Sequence, residues 1–202
     1  MPEGPEIHRA AQRLRNALEG SIITHVECPY VTIQGQEHRF LGNQVLSVKA
    51  RSKAMLIHIG EDVLYSHNQL YGRWTVQKNS TKSKKTNRSL RLKLQNETHT
   101  ACLWSATDIQ LIEPWEIEGH PYIAKLGPDV ADRDVNFDDV LKQVQNPKFS
   151  RRQLSHLLLD QGFLAGVGNY LRSEILHSAR ISPSRKLNTL STTEQHLSLI
   201  HI

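Results

Sequence analysis

The amino terminus places a proline directly before a glutamate, Pro2 and Glu3, behind the initiator methionine. A small second residue permits removal of that methionine, which would leave Pro2 with a free secondary amine. An α-amine titrates near ~7.7–8.0, so a sizeable fraction is neutral and nucleophilic at physiological pH. Such an amine suits attack on a sugar C1′ and formation of an iminium, with Glu3 supplying a proton to the opening sugar. The alternative is structural, because Pro5 and Glu6 are also good residues to begin a helix.

The hydrophobic pattern predicts the elements that must position these residues. Pro5–Leu18 has apolar residues at helical spacing, and Gly20 is a plausible stop. From Ser21 to about Ile112 the period shortens to that of strands, and it becomes helical again after about Asn136. The predicted strands are Ile22–Val26, Val45–Val48, Met55–Ile59, Val63–Tyr65, Leu90–Leu94 and Ala101–Trp104. The predicted later helices are Phe137–Val144, Gln153–Leu159, Tyr170–Ala179 and a last one from about Thr192, with Ser191 and Glu194 as its capping box.

This layout predicts an α+β fold, in which an N-terminal antiparallel β-sandwich with flanking helices precedes a helical domain. A segment rich in proline, glycine and acids, Pro114–Asn136, is interpreted as a linker with short ordered pieces. We therefore expect a first domain at 1–128 and a second at 129–202.

Composition excludes several classes of protein. The 202 residues include two cysteines, Cys28 and Cys102, and carry a formal charge of +5. The two cysteines are too few for a disulfide framework. The sequence also shows no Cys/His cluster and no nucleotide-binding fingerprint, so neither a metal nor another cofactor is expected in this chain. No membrane span or signal peptide is visible, and the cysteine usage favours the cytoplasm.

The charge is unevenly distributed. Asp108–Asp139 holds nine acids and two bases, a balance of −7, so the remainder carries +12. Lys78–Lys93 holds seven bases and no acid. This run is either a solvated basic loop or a surface that faces phosphates.

Four segments in collinear order carry a resemblance to a known family. They are Met1-Pro2-Glu3-Gly4-Pro5-Glu6, Arg51-Ser52-Lys53-Ala54, Ser66-His67-Asn68-Gln69-Leu70-Tyr71-Gly72 and Leu164-Ala165-Gly166-Val167-Gly168-Asn169-Tyr170-Leu171-Arg172. Together they resemble the formamidopyrimidine-DNA glycosylase / endonuclease VIII family. Gly4, where the formamidopyrimidine branch more usually has leucine, resembles the endonuclease VIII side.

The resemblance implies roles for the internal segments. Lys53 would reach into the active site with Pro2 and Glu3, whereas a random lysine at a strand end would be exposed. Gln69, Leu70 and Tyr71 would fill the gap left when a base is flipped out of duplex DNA, which costs roughly a few kcal/mol. The alternative for this tip is a tight turn with Leu70 tucked into the core.

The resemblance also implies contacts to the DNA backbone. In the family's helix–two-turn–helix element, the asparagine that matches Asn169 contacts a phosphate, and Arg172 would add a second contact. Free N–H groups at that helix start would form a phosphate site, although Asn169 could instead cap the helix. Lys125, in a motif that ends a connector, is expected to contact the backbone too.

The sequence departs from the family at its carboxyl end. Family members commonly end in a zinc finger with four cysteines and an arginine at its tip, and no matching residues occur here. We therefore expect an apparently truncated DNA-binding domain, with the family's zinc site beyond the end of this sequence.

The functional prediction is a bifunctional base-excision repair DNA glycosylase and abasic-site lyase. It would remove oxidised bases, with pyrimidines favoured, through a Pro2 iminium and β,δ-elimination. The alternatives are a non-catalytic or impaired damaged-DNA-binding module, and a glycosylase for oxidised purines. The expected partner is double-stranded DNA with an oxidised base or abasic site, bound by a monomer at the nucleoid of a bacterial-type cell and not at a membrane.

Overall fold

The computed structural model describes residues 2–82 and 85–194 and divides into two compact units. One is built from Pro2 and Glu6–His120, and the other from Glu3–Pro5 and the described residues from Pro121 onwards. The boundary expected at residues 128 and 129 stays a prediction. Within the described ranges, no helix is both long and apolar enough to cross a membrane.

The first unit is a β-sandwich that packs against the first helix. Helix α1 spans Gly4–Leu18. The strands are β1 (His25–Glu27), β2 (Val45–Arg51), β3 (Ala54–Ile59), β4 (Asp62–His67), β5 (Arg73–Lys78), β6 (Leu90–Gln95), β7 (His99–Trp104) and β8 (Asp108–Ile112). They form two antiparallel four-stranded sheets, ordered β1-β6-β7-β5 and β2-β3-β4-β8.

The core of this unit follows from alternation along the strands. Leu92 and Leu94 are fully buried, while Lys93 between them is only partly buried on the other side of β6. Leu14 of α1 belongs to the same apolar cluster, together with residues from the inner faces of both sheets. Helical and strand periods therefore place apolar side chains against one another, which is the main stabilising contribution in a domain of this kind.

Two strands and one boundary differ from the sequence prediction. Strand β5 was not predicted, because its residues are mostly polar and its outward side chains face solvent. Strand β8 was not predicted either, although Ile109 and Ile112 point inward. The predicted strand at Ile22–Val26 is largely wrong, since the ladder covers only His25–Glu27 and Ile22 forms one isolated bridge to Gln44. Pairing with a neighbouring strand, which local pattern does not encode, decides these cases.

The second unit is helical. Its helices are α2 (Phe137–Gln145), α3 (Leu154–Leu157) and α4 (Asn169–Ser178), with single 3₁₀ turns at Ile123–Lys125 and Leu187–Thr189. Asn136 caps α2 by accepting a hydrogen bond from the Asp139 N–H at 3.0 Å. Ser191 and Glu194 form the predicted capping box through reciprocal bonds of 2.8 and 3.2 Å. The helix predicted to follow lies, from residue 195, outside the described residues.

The α+β fold class is confirmed, with two antiparallel sheets followed by helices. The helices predicted at Phe137–Val144, Gln153–Leu159 and Tyr170–Ala179 are present, although α3 covers only part of Gln153–Leu159. The fold thus consists of a β-sandwich and a small helical unit, and each has its own cluster of buried apolar side chains.

Candidate nucleic-acid interface and active site

The Glu3 carboxylate caps the amino terminus of α4. It accepts hydrogen bonds from the backbone N–H groups of Gly168 at 3.0 Å, Tyr170 at 2.8 Å and Leu171 at 3.0 Å. Glu3 is 6% exposed. A helix start leaves its first N–H groups without intrahelical partners and carries a partial positive charge, so a buried carboxylate is strongly stabilised there.

This arrangement corrects two sequence expectations. The cap residue of α4 is Gly168, not Asn169, and no side-chain hydrogen bond from Gly168 or Asn169 caps the helix. The N–H groups of Gly168, Tyr170 and Leu171 are not available for a phosphate, because Glu3 already binds them. Asn169 is instead the first helical residue and is exposed, so its side chain remains accessible to DNA.

The glycine at position 168 makes this close approach possible. A Cβ placed there would lie 2.4 Å from the Glu3 Cδ atom, which is shorter than any tolerable contact. The preceding loop is held by Gln161, whose amide donates to the Val167 carbonyl at 2.8 Å and accepts from the Gly166 N–H at 3.0 Å. The Gly166 carbonyl in turn accepts a bond from the Gly4 N–H at 2.8 Å. The loop therefore fixes the backbone immediately after Pro2.

Lys53 lies in the tight turn between β2 and β3. It is 7% exposed, so the alternative of an exposed strand-end lysine is wrong. Ser52, the other turn residue, is fully buried and adopts φ = +60°. The turn also brings the Lys53 ammonium within electrostatic range of the His67 imidazole, since Ala54 pairs with His67 across β3 and β4.

The tip loop, defined as Asn68–Gly72, joins β4 to β5. Leu70 is 57% exposed and Tyr71 is 69% exposed, so the alternative in which Leu70 is tucked into the core is wrong. The turn is tight: the Gly72 N–H donates to the Asn68 carbonyl at 2.7 Å, and a Cβ on Gly72 would lie 2.4 Å from that oxygen. The loop thus presents two large apolar side chains to solvent on a stiff support.

Polar contacts orient the tip loop. The Gln69 side-chain carbonyl accepts a hydrogen bond from the Thr107 hydroxyl, and its backbone N–H donates to His67 Nδ1 at 3.0 Å. The Arg88 guanidinium donates to the Tyr71 carbonyl at 2.6 Å. Residues from two other loops therefore hold the Gln69 side chain and the Tyr71 backbone, while Leu70 and Tyr71 keep their side chains exposed.

The remaining predicted residues occupy separate places. Pro2 is half-buried at the start of the described chain. Lys125 is exposed at the end of the 3₁₀ turn Ile123–Lys125. Arg172, on α4, is partly buried and donates to the Ser155 carbonyl at 3.2 Å. No contact in the described residues assigns DNA-binding roles to these side chains, and those roles stay predictions.

Sequence reasoning missed His67 and Gln161 as supports of the site. Both stand beside motif residues, but their hydrogen bonds depend on the bend of a loop rather than on spacing in the sequence. The sequence offered one signal for each residue. His67 stands next to the proposed base-flipping loop, and Gln161 precedes a glycine-rich turn.

The pH dependence of stability is expected to report on His67. Burial lowers the pKa of the His67 imidazole, with the Lys53 charge acting in the same direction and Asp108 opposing both. The unfolded chain then binds this proton at a higher pH than the folded chain, so the free energy of unfolding rises with pH between the two pKa values. Protonation would also remove the Nδ1 acceptor used by Gln69.

Urea unfolding at pH 7.5 and pH 5.5 checks this expectation. His67→Gln should reduce the loss of stability on acidification, by about 1.4 kcal/mol for each unit by which the pKa is depressed. His38→Gln, at an exposed position of the same unit, serves as the control. An unchanged pH dependence in His67→Gln would contradict the assignment. His58, whose pKa burial also lowers, accounts for some dependence that persists.

Neither cysteine competes with the amino-terminal amine as a nucleophile. Burial raises the pKa of the Cys28 thiol to about 12 and also raises the pKa of Cys102. A thiol that stays protonated at neutral pH is a poor nucleophile. In residues 2–82 and 85–194, no three histidine, cysteine or acidic side chains come together in a way that could hold a metal ion.

Two models of known protein domains match this chain. The formamidopyrimidine-DNA glycosylase N-terminal domain matches residues 1–105, and the H2TH (helix–two-turn–helix) domain of the same enzyme matches residues 126–202. Endonuclease 8 of Pectobacterium carotovorum is 45% identical over 184 residues, covering 91% of this chain and 70% of that protein. Endonuclease 8 of Escherichia coli O1:K1 is 42% identical over 195 residues, covering 96% and 74%.

Solved structures share the fold. The formamidopyrimidine DNA glycosylase of Lactococcus lactis, bound non-covalently to DNA that contains an abasic site, superposes with a TM-score of 0.81 at 20% identity. That match covers 98% of this chain and 76% of the other. The two domain matches and the Endonuclease 8 relatives confirm the resemblance predicted from the four motifs: the chain belongs to the formamidopyrimidine-DNA glycosylase family.

Proposed function

We propose that this protein is a base-excision DNA glycosylase and abasic-site lyase that acts on oxidised bases in duplex DNA, with a preference for pyrimidines. The observation that carries the proposal is the agreement between the family match, with relatives named Endonuclease 8, and the anchored Pro2–Glu3 terminus. Pro2 is the nucleophile, Glu3 the proton carrier and Lys53 the assisting cation.

The proposed reaction starts at the sugar of the damaged nucleotide. Once Met1 is removed, the neutral Pro2 nitrogen attacks C1′ and the bond from C1′ to the base breaks, with the electron pair leaving on the base. The Pro2 nitrogen then loses its proton as the C1′–O4′ bond opens, giving an iminium. Glu3, in its carboxylate form at α4, can take up that proton and deliver it to O4′, so charge and protons balance.

Strand cleavage follows from the iminium. It acidifies the C2′ proton, whose removal expels the 3′ phosphate, and a second elimination expels the 5′ phosphate. A buried ammonium such as Lys53 suits stabilisation of a leaving phosphate, because charge interactions are stronger away from bulk water. Asn169, Arg172 and Lys125 are proposed as backbone contacts in the same complex.

The tip loop is proposed to occupy the space vacated by the flipped nucleotide. Gln69, Leu70 and Tyr71 offer an amide, an aliphatic group and a flat ring, which can compensate lost stacking and bond an orphaned base. An exposed Leu-Tyr pair on a tightly hydrogen-bonded turn has no function in stabilising the sandwich core.

Borohydride trapping tests the proposed function. The protein is incubated with duplexes that carry an oxidised pyrimidine, an oxidised purine or an abasic site, and the iminium is reduced to a stable adduct. We expect adducts with the pyrimidine and abasic duplexes, and weaker trapping on the purine in direct competition. Binding without any adduct would instead favour a non-catalytic DNA-binding module.

Shortening Leu70 is expected to impair catalysis without affecting the fold. Leu70→Ala should change the free energy of unfolding by no more than about 0.5 kcal/mol, since the side chain is 57% exposed. Single-turnover base release from a paired duplex should fall by about tenfold or more, because an inserted side chain offsets part of the unstacking energy.

A matched leucine provides the control for this variant. Leu46, on β2, is 54% exposed, and Leu46→Ala should leave both stability and base release unchanged. Equal rates for the two variants would show that Leu70 has no wedge function.

A further inference from the structure

The basic run at Lys78–Lys93 is split by the fold. Arg91 stacks over the Tyr30 ring, with its guanidinium carbon 4.6 Å from the ring centroid. Lys93 pairs with Glu27 at 2.7 Å. Lys84 lies outside the described residues. Fewer bases of this run are therefore exposed without a partner beside the β1-β6-β7-β5 sheet than the seven that the sequence contains.

Four exposed cations surround one groove on the outer side of this sheet, and we call them the outer basic face: Arg73, Lys82, Lys85 and Arg88. The groove encloses about 570 Å³. Thr75, Cys102 and Lys93 lie in one row across its floor, since Thr75 and Lys93 both pair with Cys102. The cations thus border a polar surface rather than an apolar one.

The outer basic face carries a net positive charge. In the part of the chain that the structure describes, none of its four members forms an ion pair, and the one acid in the groove lining, Glu27, is already paired with Lys93. Like charges gathered without carboxylates repel each other, so they destabilise the isolated protein slightly and favour binding of a polyanion.

The outer basic face is continuous with the tip loop. Arg73 begins β5 directly after Gly72, and Arg88 bonds the Tyr71 carbonyl at 2.6 Å. Lys82 and Lys85 lie farther along the chain from the tip, in the connection between β5 and β6. A polyanion that touches the tip can therefore extend over these cations.

We propose that the outer basic face binds the phosphodiester backbone of the same duplex on one side of the lesion. This inference rests on the proposed function, in which the tip loop enters the duplex. A double-stranded ligand is favoured over a single strand, because single-strand sites add aromatic platforms for the bases. Trp104, the one aromatic in the described lining, is partly buried and its Nε1 is bonded to Thr75 Oγ1 at 2.9 Å.

The test compares two variants of equal charge change. Lys82→Gln/Lys85→Gln removes two cations of the face, and Lys49→Gln/Lys142→Gln removes two exposed lysines elsewhere. Affinity is measured over a range of salt concentrations for duplexes with a tetrahydrofuran abasic analogue. One duplex is short on both sides of the lesion, one is extended only on the 5′ side, and one only on the 3′ side. A single-stranded oligonucleotide that carries the same analogue is measured alongside the duplexes.

We expect the Lys82/Lys85 variant to lose affinity for one of the two extended duplexes only. Loss of two phosphate contacts should make the negative slope of log K against log salt shallower by about 1.8, which corresponds to a decrease in affinity of up to about 30-fold near 0.15 M salt. The short duplex should bind as it does to the unaltered protein, and the control variant should show no difference between the two extended duplexes.

Three results would overturn the inference. They are an unchanged slope on both extended duplexes, an equal loss on all three duplexes, and a loss confined to a single-stranded oligonucleotide. Trapping by the unaltered protein is measured in parallel. If trapping fails while the one-sided salt effect is present, the proposed catalysis is wrong and the binding surface stands.

Discussion

Acylation of the Pro2 nitrogen is expected to abolish covalent trapping of abasic DNA, with a decrease of at least about 10³-fold in adduct formation. The reason is electronic, since the lone pair of an amide nitrogen is delocalised into the carbonyl and is no longer a nucleophile. Inserting glutamine between Met1 and Pro2 achieves this, because a bulky second residue prevents removal of methionine and leaves Pro2 within the chain. The adduct is measured by gel shift after borohydride reduction.

Pro2→Gly refines this experiment. Glycine retains an α-amine but loses the ring that restricts its backbone, so we expect weaker trapping, by about 10- to 100-fold, rather than none. Pro5→Ala, a nearby proline without a chemical role in the proposal, should trap as the unaltered protein does. Affinity for a duplex with the tetrahydrofuran analogue should persist in every variant. An adduct that forms equally well in Pro2→Gly and with a blocked terminus would rule out Pro2 as the nucleophile.

Glu3→Gln is expected to give the largest loss of stability among the proposed substitutions, about 2–4 kcal/mol. The carboxylate accepts three backbone N–H bonds at a helix start, and the amide that replaces it keeps one oxygen and directs an NH₂ group at donors. Urea unfolding measures the total effect. Faster amide hydrogen exchange at Gly168, Tyr170 and Leu171 would locate the effect at α4.

Glu6, in the first turn of α1, supplies the control. Glu6 forms an exposed pair with Arg9 at 2.8 Å, and Glu6→Gln should cost no more than about 1 kcal/mol. Glu3→Asp keeps the negative charge, but its shorter side chain places the carboxylate farther from the three N–H groups. We therefore expect Glu3→Asp to be more stable than Glu3→Gln but less stable than the unaltered protein, and its activity to be reduced further than its stability. If Glu3→Gln and Glu6→Gln lose equal stability, the cap contributes nothing beyond the general charge at a helix start.

Glu3 contributes both to stability and to the proposed chemistry. Glu3 binds α4 in the resting protein, and in the proposed reaction it also transfers a proton beside Pro2. A group committed to three hydrogen bonds is held in a defined position, which limits the motion of the residue before it. The cap therefore stabilises the start of α4 and holds the Glu3 carboxylate in the place from which the proposed proton transfer would occur.

Much of the fold could be predicted because it depends on local pattern. The spacing of Ile7, Ala11, Leu14 and Leu18 predicts the buried face of α1, and all four are buried. Leu90–Leu94 alternates and forms most of β6. Strand β5 could not be predicted in this way, because its sequence Arg-Trp-Thr-Val-Gln-Lys is polar and becomes a strand through its hydrogen bonds to β7.

The family, and the chemistry that the proposal assigns to Pro2, Glu3 and Lys53, can be inferred from residue types and motifs alone. Residue type and order along the chain suffice for that, because a secondary amine, a carboxylate and an ammonium keep their reactivity in any fold. The sequence also indicated an exposed Leu70–Tyr71 tip, but left a buried turn as an equal alternative.

The positions of these groups depend on contacts between segments that are far apart in the chain. Glu3 meets the N–H of Gly168, 165 residues away, and no periodicity encodes a partner at that separation. The burial of Lys53, the exposure of Leu70 and the gathering of Arg73 with Lys82 and Lys85 likewise depend on which strands pair and how their loops turn. Hydrogen bonding and packing between distant segments set these positions, and they convert a list of reactive residues into a proposed site.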